Sequence, residues 1–462
     1  MVNASDFGKD FIWGVAVAAA QIEGASDKYG KGPSIWDTFS KKPGNACDFY
    51  HRFRDDLALV KLLNFKVFRF SISWPRLLPF GSGLINQEGI KFYHEVIDEC
   101  LKLGITPYIT LYHWDLPEAL EQEGGWASFS VNGAFNSFVE LCGREYGDKV
   151  KNWIVMNEPF GFTSLGYMLG IHAPGQTGLT NFFSAVHHAA IAQADGGRIL
   201  RSEVSKANIG TTFSCSEIVP FSDSDADNLA AKRMDSLVNR LFIEPLLGMG
   251  YPTADWEVLE KFAIKHSTWR HTTRLTFDFD YIGLQNYFPL TVKYNAFVPV
   301  LQAWEVKAKT RKKPFTAMGW EVNANSFYNI IKQFAAYPQI KQLMITENGA
   351  AYKDVISSDG LIHDQERIAY FEQYLEALLK IKNEGINVTG YMAWTLMDNF
   401  EWAEGYSARF GLIFVDFQNQ KRVVKESGKW FAAFLKNNGN DLIPTNLRES
   451  ESLGKTYKQP EK

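Results

Sequence analysis

Residues 152–161 read NWIVMNEPFG. Four apolar residues, Trp153 to Met156, run without alternation and stop abruptly on Asn157, Glu158 and Pro159. A short unbroken apolar run of this kind suits a strand covered on both faces, as in a parallel sheet. Pro159 has no N–H to continue a ladder, so the strand should end there. Asn157 and Glu158 are consecutive. If both face one cleft, the backbone must twist locally between them.

The same unit recurs along the chain. The run at 153–156 follows the helical stretch VNGAFNSFVELCGREYG, and comparable apolar runs occupy 11–19, 66–73, 106–112, 208–214, 281–287, 342–347 and 388–394. Between them lie segments with apolar residues at three- and four-residue spacing, as around Leu57, Val60, Lys61 and Leu63. Helices are predicted near 326–336 and 364–383, with a last one over 425–437. Eight strands alternating with helices predict an α/β fold with a parallel sheet. No GxGxxG or GxxxxGK[ST] follows any strand, which removes support for nucleotide binding. The arrangement that remains is a single (β/α)₈ TIM barrel over 1–440, followed by a polar tail at 441–462, with the active site at the C-terminal ends of the strands.

Those strand ends are rich in polar and aromatic groups. Gln21 follows the first run, Arg69 lies in the second, and His113 and Trp114 follow the third. Asn157 and Glu158 end the fourth. Gln285, Asn286 and Tyr287 end the sixth, Glu347 the seventh, and Trp394 the eighth, followed by Asp398, Glu401 and Trp402. In a barrel, the fourth and seventh strands face one another across the mouth, which sets Glu158 opposite Glu347. A facing pair of acids is what glycoside hydrolysis requires, one protonated and one ionised. Taken singly, each residue has a blander reading: a salt-bridged glutamate, a structural histidine, a core tryptophan. Their convergence on one rim carries the functional one. Retention and inversion differ in carboxyl spacing, which these residues alone leave open.

The bulk properties agree. The chain has 462 residues, of which 46% are hydrophobic and 22% charged, and a net charge of −4, so neither nucleic acid nor a membrane surface is an expected partner. Aromatics make up 15%, with 13 Trp, a composition suited to packing against the C–H faces of sugars. Four scattered cysteines show no metal-ligand or disulfide spacing, so free buried thiols are expected. The first apolar run is too short to span a bilayer and ends on Gln21 and Glu23. No export signal is visible, and a soluble, cytoplasmic protein is expected.

Five motifs in order carry a resemblance: RFSISWPR at 69–76, YHWDLP at 112–117, NEP at 157–159, ITENG at 345–349 and WTLMDNFEW at 394–402. From about Phe11 to Asn437 the chain resembles the β-glucosidase family, glycoside hydrolase family 1, whose fold is a (β/α)₈ barrel. The resemblance implies a retaining exo-β-glycosidase acting through a covalent glycosyl-enzyme on terminal β-D-glucosyl residues, with galactosyl and fucosyl substrates not separated from glucosyl ones. It implies Glu158 as general acid/base and Glu347 as nucleophile. Arg69 would sit beside Glu347 and lower its pKa. Tyr287 would hydrogen-bond the same carboxylate, and Gln285 would support it. Asn157 would hold the sugar 2-hydroxyl. Gln21, His113, Trp114, Glu401 and Trp402 would grip the other hydroxyls, Trp394 would form the floor, Trp320 would stack on the leaving group, and Phe410 joins the substrate-binding set.

Where the family has Asn-Tyr-Tyr, this chain reads Gln285-Asn286-Tyr287. An ungapped register keeps the tyrosine and places Gln285 at the amide position. A shift by one would align Asn286 and put Phe288 in place of the tyrosine. The segment SKKPGNACDFYHRF is short for the family, implying a more open outer end, and Gln193 stands where many members have His. The Glu401–Trp402 pair speaks against phosphorylated sugars, since a carboxylate repels phosphate. No cofactor and no metal is called for. The implied partner is a small β-glycoside or oligosaccharide, and a homo-oligomer is left open. A transglycosidase and a non-catalytic sugar-binding barrel are the competing readings. Retention of both acids weighs against the second.

Overall fold

The computed structural model describes residues 2–253, 256–267, 273–298 and 300–436. The tail expected at 441–462 lies outside them. Eight parallel strands close into a barrel: β1 (Ile12–Ala16), β2 (Val67–Ser71), β3 (Thr106–Tyr112), β4 (Asn152–Asn157), β5 (Asn208–Ser214), β6 (Tyr281–Gln285), β7 (Leu343–Asn348) and β8 (Val388–Trp394). Each pairs with its sequence neighbours, and β8 closes on β1 through Ile12 opposite Gly390 and Ala16 opposite Trp394. This is the predicted (β/α)₈ barrel. β1 and β2 are shorter than their apolar runs suggest, because the residues beyond them turn into the mouth. Gln21 sits on a short helix, Ala19–Ile22, not on an extended strand.

The helices form because each has one face to bury. Gln87–Leu103 buries Ile90, Tyr93, Ile97 and Cys100, a three-and-four spacing, and ends on Gly104 in the left-handed conformation (φ 73°). The final helix spans Glu426–Leu435, within the predicted 425–437. The strands are buried on both faces, as β2 shows over all five residues. The barrel interior is a small cluster that includes Val67, Tyr108, Ile154, Tyr281, Met344, Met392 and Trp394. The much larger cluster outside it joins the outward strand residues to the helices.

Two small sheets escaped the sequence reading because their strands run only three to five residues. One, built from excursions after β5 and β6, pairs Ile218–Pro220 with Leu290–Tyr294 and then Ala303–Glu305. The other is the hairpin Ile413–Asp416 with Lys421–Val424. Cys47, Cys100, Cys142 and Cys215 are free and buried. No helix among the described residues is long and apolar enough to cross a membrane.

An ion network built on buried Lys425, Asp398 and Arg367 anchors the loop after β8. Lys425 Nζ donates to Asp398 Oδ1 at 2.6 Å and also to Asp354, while Asp398 Oδ2 accepts from Arg409 at 2.7 Å and Asp354 from Arg367 at 3.0 Å. Removing one member strands its buried partners, at a cost of about 3–5 kcal/mol. Lys425→Ala is therefore expected to lower the denaturant midpoint by a corresponding amount, and an unchanged midpoint would show the network to be energetically neutral.

Candidate active site

The two carboxyls reach the cavity through local departures from strand regularity. With a strict period of two, Ile154 pointing inward would send Met156 and Glu158 inward and Asn157 outward. Instead the β4–β5 register shifts between Ile154 and Asn157, and Met156 joins the outer core. Asn157 thereby faces inward. Glu158 then takes the left-handed conformation, φ 44° and ψ 64°, and Pro159 opens the helix Pro159–Tyr167 at its first position. That is the local twist the sequence required. β7 repeats the device: its register against β6 shifts between Ile345 and Glu347, so Met344 and Glu347 both face inward. Trp114 (φ 73°) and Trp402 (φ 45°) also adopt left-handed backbone at this rim. Each such residue costs about 1 kcal/mol or more, strain of a kind that collects at functional sites.

Two glycines in the quoted motifs permit close packing. A Cβ on Gly161 would lie 2.7 Å from the Trp114 ring, and one on Gly349 would collide with the Trp394 carbonyl. Trp114 in turn donates its indole N–H to the Asn157 carbonyl at 3.0 Å.

Glu347 is held on both oxygens. Oε1 accepts from Arg69 at 2.6 Å and from Gln285 at 2.8 Å, and Oε2 accepts from Tyr287 at 2.7 Å. The ungapped register is the one the fold adopts, since Asn286 turns away and donates to the Cys215 carbonyl at 2.8 Å. Arg69 is fully buried and is itself fixed by Thr110 and by the Thr346 carbonyl.

The orientation of Asn157 follows from its partners. Its Oδ1 accepts from Arg69, Gln285 and Thr212, so Nδ2 must face His113 Nε2 at 3.1 Å and Glu158 Oε2 at 3.3 Å. Burial and the Arg69 charge hold His113 well below the usual histidine range, so its ring is neutral. With Nε2 accepting from Asn157, Nδ1 carries the proton, and it has no partner among the described residues. Gln21 Oε1 is likewise unspent, while Gln21 Nε2 reaches the Phe400 carbonyl at 2.9 Å and Glu401 at 3.4 Å.

These groups surround a cavity of about 320 Å³. His113, Trp114, Glu158, Gln285, Tyr287, Trp320, Glu347, Trp394, Glu401, Trp402 and Phe410 line it. Gln21, Arg69 and Asn157 are wholly buried one layer behind. The His113 ring lies nearly parallel to Trp394 (6.0 Å, 19°) and Trp402 (6.1 Å, 23°), and Trp320 stacks on Phe288 (4.8 Å, 21°) with Phe410 at 5.8 Å.

The electrostatics separate the two acids. Burial raises both. For Glu347, Arg69 and the Tyr287 hydroxyl oppose that rise. Arg69 thus acts in the expected direction, although burial outweighs it. Glu158 is pushed well above the usual carboxylate range by burial and by the Glu347 charge, against weaker opposition from the more distant Arg69 and Asn157. Glu401 is pushed up to about 8 by burial and by Glu347. Among these groups Glu347 is therefore the one the surroundings favour as the anion, and Glu158 the one they favour as the acid.

The sequence reading missed the threonines that brace the site (Thr110, Thr212, Thr346), the Asp398–Lys425 network in the loop that also carries Glu401, and the apolar half of the cavity. The threonines sit on strands where β-branched residues are ordinary, and the network joins residues far apart in the chain, so neither left a local signal. Gln193, fully buried, donates to Thr211 at 2.6 Å and lies outside the cavity wall.

The sequence profile of glycosyl hydrolase family 1 matches residues 3–440. Beta-glucosidase A of Thermotoga maritima is 40% identical over 451 residues, covering 95% of this chain and 99% of its own. A beta-glucosidase from an Agrobacterium species is 36% identical, covering 93% and 95%. Among solved structures, the Thermotoga maritima family 1 β-glucosidase superposes with a TM-score of 0.88 at 40% identity, over 94% of this chain and 99% of that one. The same enzyme bound to isofagomine lactam gives 0.88 at 40%, over 93% and 98%. Fold, length and profile agree: the chain belongs to glycosyl hydrolase family 1.

Proposed function

We propose that the chain is a retaining exo-β-glucosidase in which Glu347 is the nucleophile and Glu158 the general acid/base. The observation that carries this assignment is the unequal treatment of two carboxyls in one cavity. Three donors, one of them cationic, converge on Glu347 and favour its ionised form, while burial and the Glu347 charge favour the protonated form of Glu158. In the first step a Glu347 oxygen attacks the anomeric carbon as the bond to the leaving oxygen breaks, and Glu158 transfers its proton to that oxygen. In the second, Glu158 takes a proton from water, which attacks the same carbon and frees Glu347. The two displacements together retain configuration, which is the family's outcome. Glucosyl specificity follows the activities named for the relatives.

In this reading Asn157 presents Nδ2 to the sugar 2-hydroxyl, a contact that strengthens in the transition state. Gln21, His113, Glu401 and Trp402 take the remaining hydroxyls, Trp114 backs them, and Trp394 supports the ring. Trp320 and Phe410 meet the leaving group. The one buried arginine at the site is already spent on Glu347 and Asn157, so an anionic sugar would find no free cation there. Hydrolysis of 4-nitrophenyl β-D-glucoside with release of β-glucose, followed by NMR, tests the assignment. Release of α-glucose or absence of turnover would overturn it.

Tyr287→Phe removes the donor to Glu347 Oε2 and with it a stabiliser of the ionised form. The Glu347 pKa should rise, so the acidic limb of the kcat/KM profile should move to higher pH. kcat/KM at its optimum should fall about 10- to 100-fold, the worth of a hydrogen bond to a charged group. A limb that stays in place would mean that Tyr287 does not bear on the titrating group.

A further inference from the structure

Three loops at the mouth of the barrel meet at a second, much smaller cavity of about 10 Å³. Glu23, Lys31 and Asp37 reach it from the loop after β1, Ser73 and Arg76 from the loop after β2, and Asp115 from the turn after β3. None of these six lines the sugar cavity. Most of the charge here is already paired. Glu23 accepts from Arg76 Nε at 2.7 Å and from the Tyr93 hydroxyl at 2.5 Å. Asp37 accepts from Lys31 at 2.7 Å and from the Ser34 hydroxyl at 2.8 Å. Asp115 is the exception. It is 1% exposed, and neither carboxyl oxygen has a hydrogen-bond partner among the described residues. Burial pushes this carboxyl well above the usual carboxylate range, and the nearby Ser73 hydroxyl opposes that rise. Ser73 Oγ and Arg76 Nη1 are likewise buried and unspent among the described residues.

A buried carboxyl without partners is costly, and buried polar groups in folded proteins are met either by other protein groups or by ordered water. The cavity has about the space that one water needs, and three side chains offer it partners. A metal or ammonium ion suits it less. Arg76 and Lys31 already bring positive charge to the cavity, and the free N–H of Arg76 needs an acceptor, which a cation does not supply.

The place of Asp115 in the chain gives such a water a consequence. His113 and Trp114 immediately precede it and face the sugar cavity, and Trp114 has left-handed backbone (φ 73°). A conformation of that kind persists only where its surroundings hold it. Before Asp115, the Trp114 indole is tied to the Asn157 carbonyl at 3.0 Å. After it, the Leu116 carbonyl accepts from the Ile35 N–H at 2.9 Å. Between these anchors, Asp115 is the side chain placed to tie the turn to the loop after β2. We propose that Asp115 is a positioning residue for sugar binding: a buried water joins its carboxyl to Ser73 and Arg76 and so holds the turn that carries His113 and Trp114. The proposal rests on the sugar-binding role given to those two residues above.

A crystal structure of the unaltered protein, grown with rubidium chloride and recorded at the rubidium edge, reads the site directly. An ordered water without anomalous signal is expected, within hydrogen-bond distance of Asp115 and of Ser73 or Arg76. A cavity without density, or a rubidium peak, would overturn the proposal. Kinetics with 4-nitrophenyl β-D-glucoside reads the consequence. Asp115→Asn keeps polar atoms for the water, so KM and kcat should stay within about threefold of the unaltered values. Asp115→Leu should raise KM about tenfold with a smaller change in kcat, the worth of one lost hydrogen-bonded tie. A merely structural loss would instead leave fewer active molecules and lower kcat at unchanged KM. Ser73→Ala removes one partner of the water and should raise KM several-fold, which keeps the proposal open to refutation if Asp115→Leu does not fold. Unchanged KM in the folded variants, or Asp115→Asn as damaging as Asp115→Leu, would overturn it. Absence of turnover in the unaltered protein would overturn the glucosidase reading instead. Calorimetric affinity for glucose would then decide the proposal, sustaining it if weakened by Asp115→Leu but not by Asp115→Asn and overturning it otherwise.

Discussion

Glu347→Ala is expected to lower kcat for 4-nitrophenyl β-D-glucoside by about 10⁵-fold or more, the scale seen when a covalent nucleophile is removed. The reason is geometric as well as chemical. Arg69, Gln285 and Tyr287 each donate to this one carboxylate, and among the described residues no other carboxyl in the cavity has a cation in direct contact. Alanine leaves room on that face of the sugar. Azide should therefore restore part of the turnover by attacking there directly, with Glu158 still able to protonate the leaving oxygen. One displacement replaces two, so the product should be α-glucosyl azide, identified by NMR. Undiminished turnover would remove Glu347 from the role. Recovery of the β-azide would place the lost group on the other face.

Glu158→Ala should behave differently, and the difference separates the two acids. Loss of a positioned proton donor costs about 10²- to 10⁴-fold. For an alkyl glucoside, whose leaving oxygen needs the proton, the loss in kcat/KM should lie near the upper end. For a dinitrophenyl glucoside, which departs as a stable anion, it should lie near the lower end or below. Azide should now intercept the glycosyl-enzyme and give the β-azide. The pH profile supplies a further sign. The first step needs Glu158 protonated, and burial together with Glu347 holds its carboxyl well above the usual range. Activity in the parent enzyme should therefore fall as pH rises through that raised pKa. In Glu158→Ala the basic limb should be gone. A basic limb that survives would mean that another group is the acid.

Much of this was legible in the chain. The barrel was, because each apolar run and each helix face reports how many sides must be covered, and eight such alternations leave few architectures. The residues at the strand ends were also legible, because barrel topology places every C-terminal end on one rim. Even the register of Gln285-Asn286-Tyr287 could be argued from the need for a hydroxyl at Tyr287, and the fold adopts it, with Asn286 turned toward Cys215. The strand limits were less legible. Residues 17–19 and 286–287 continue apolar runs yet leave the sheet, since the mouth of a barrel bends chain that composition alone would keep extended.

The order of apolar and amphipathic segments determined by itself that this protein is a closed parallel barrel with its acids on one rim, since burial depends on residue type and spacing, both written along the chain. Only the tertiary structure decided which way those acids point and which of them stays charged. Register shifts in β4 and β7 break the alternation that would have turned Asn157 and Glu347 outward. Arg69, 278 positions from Glu347, then sets the balance between two carboxyls of identical chemistry. Direction and charge depend on distances between remote residues, and those distances exist only once the chain has closed.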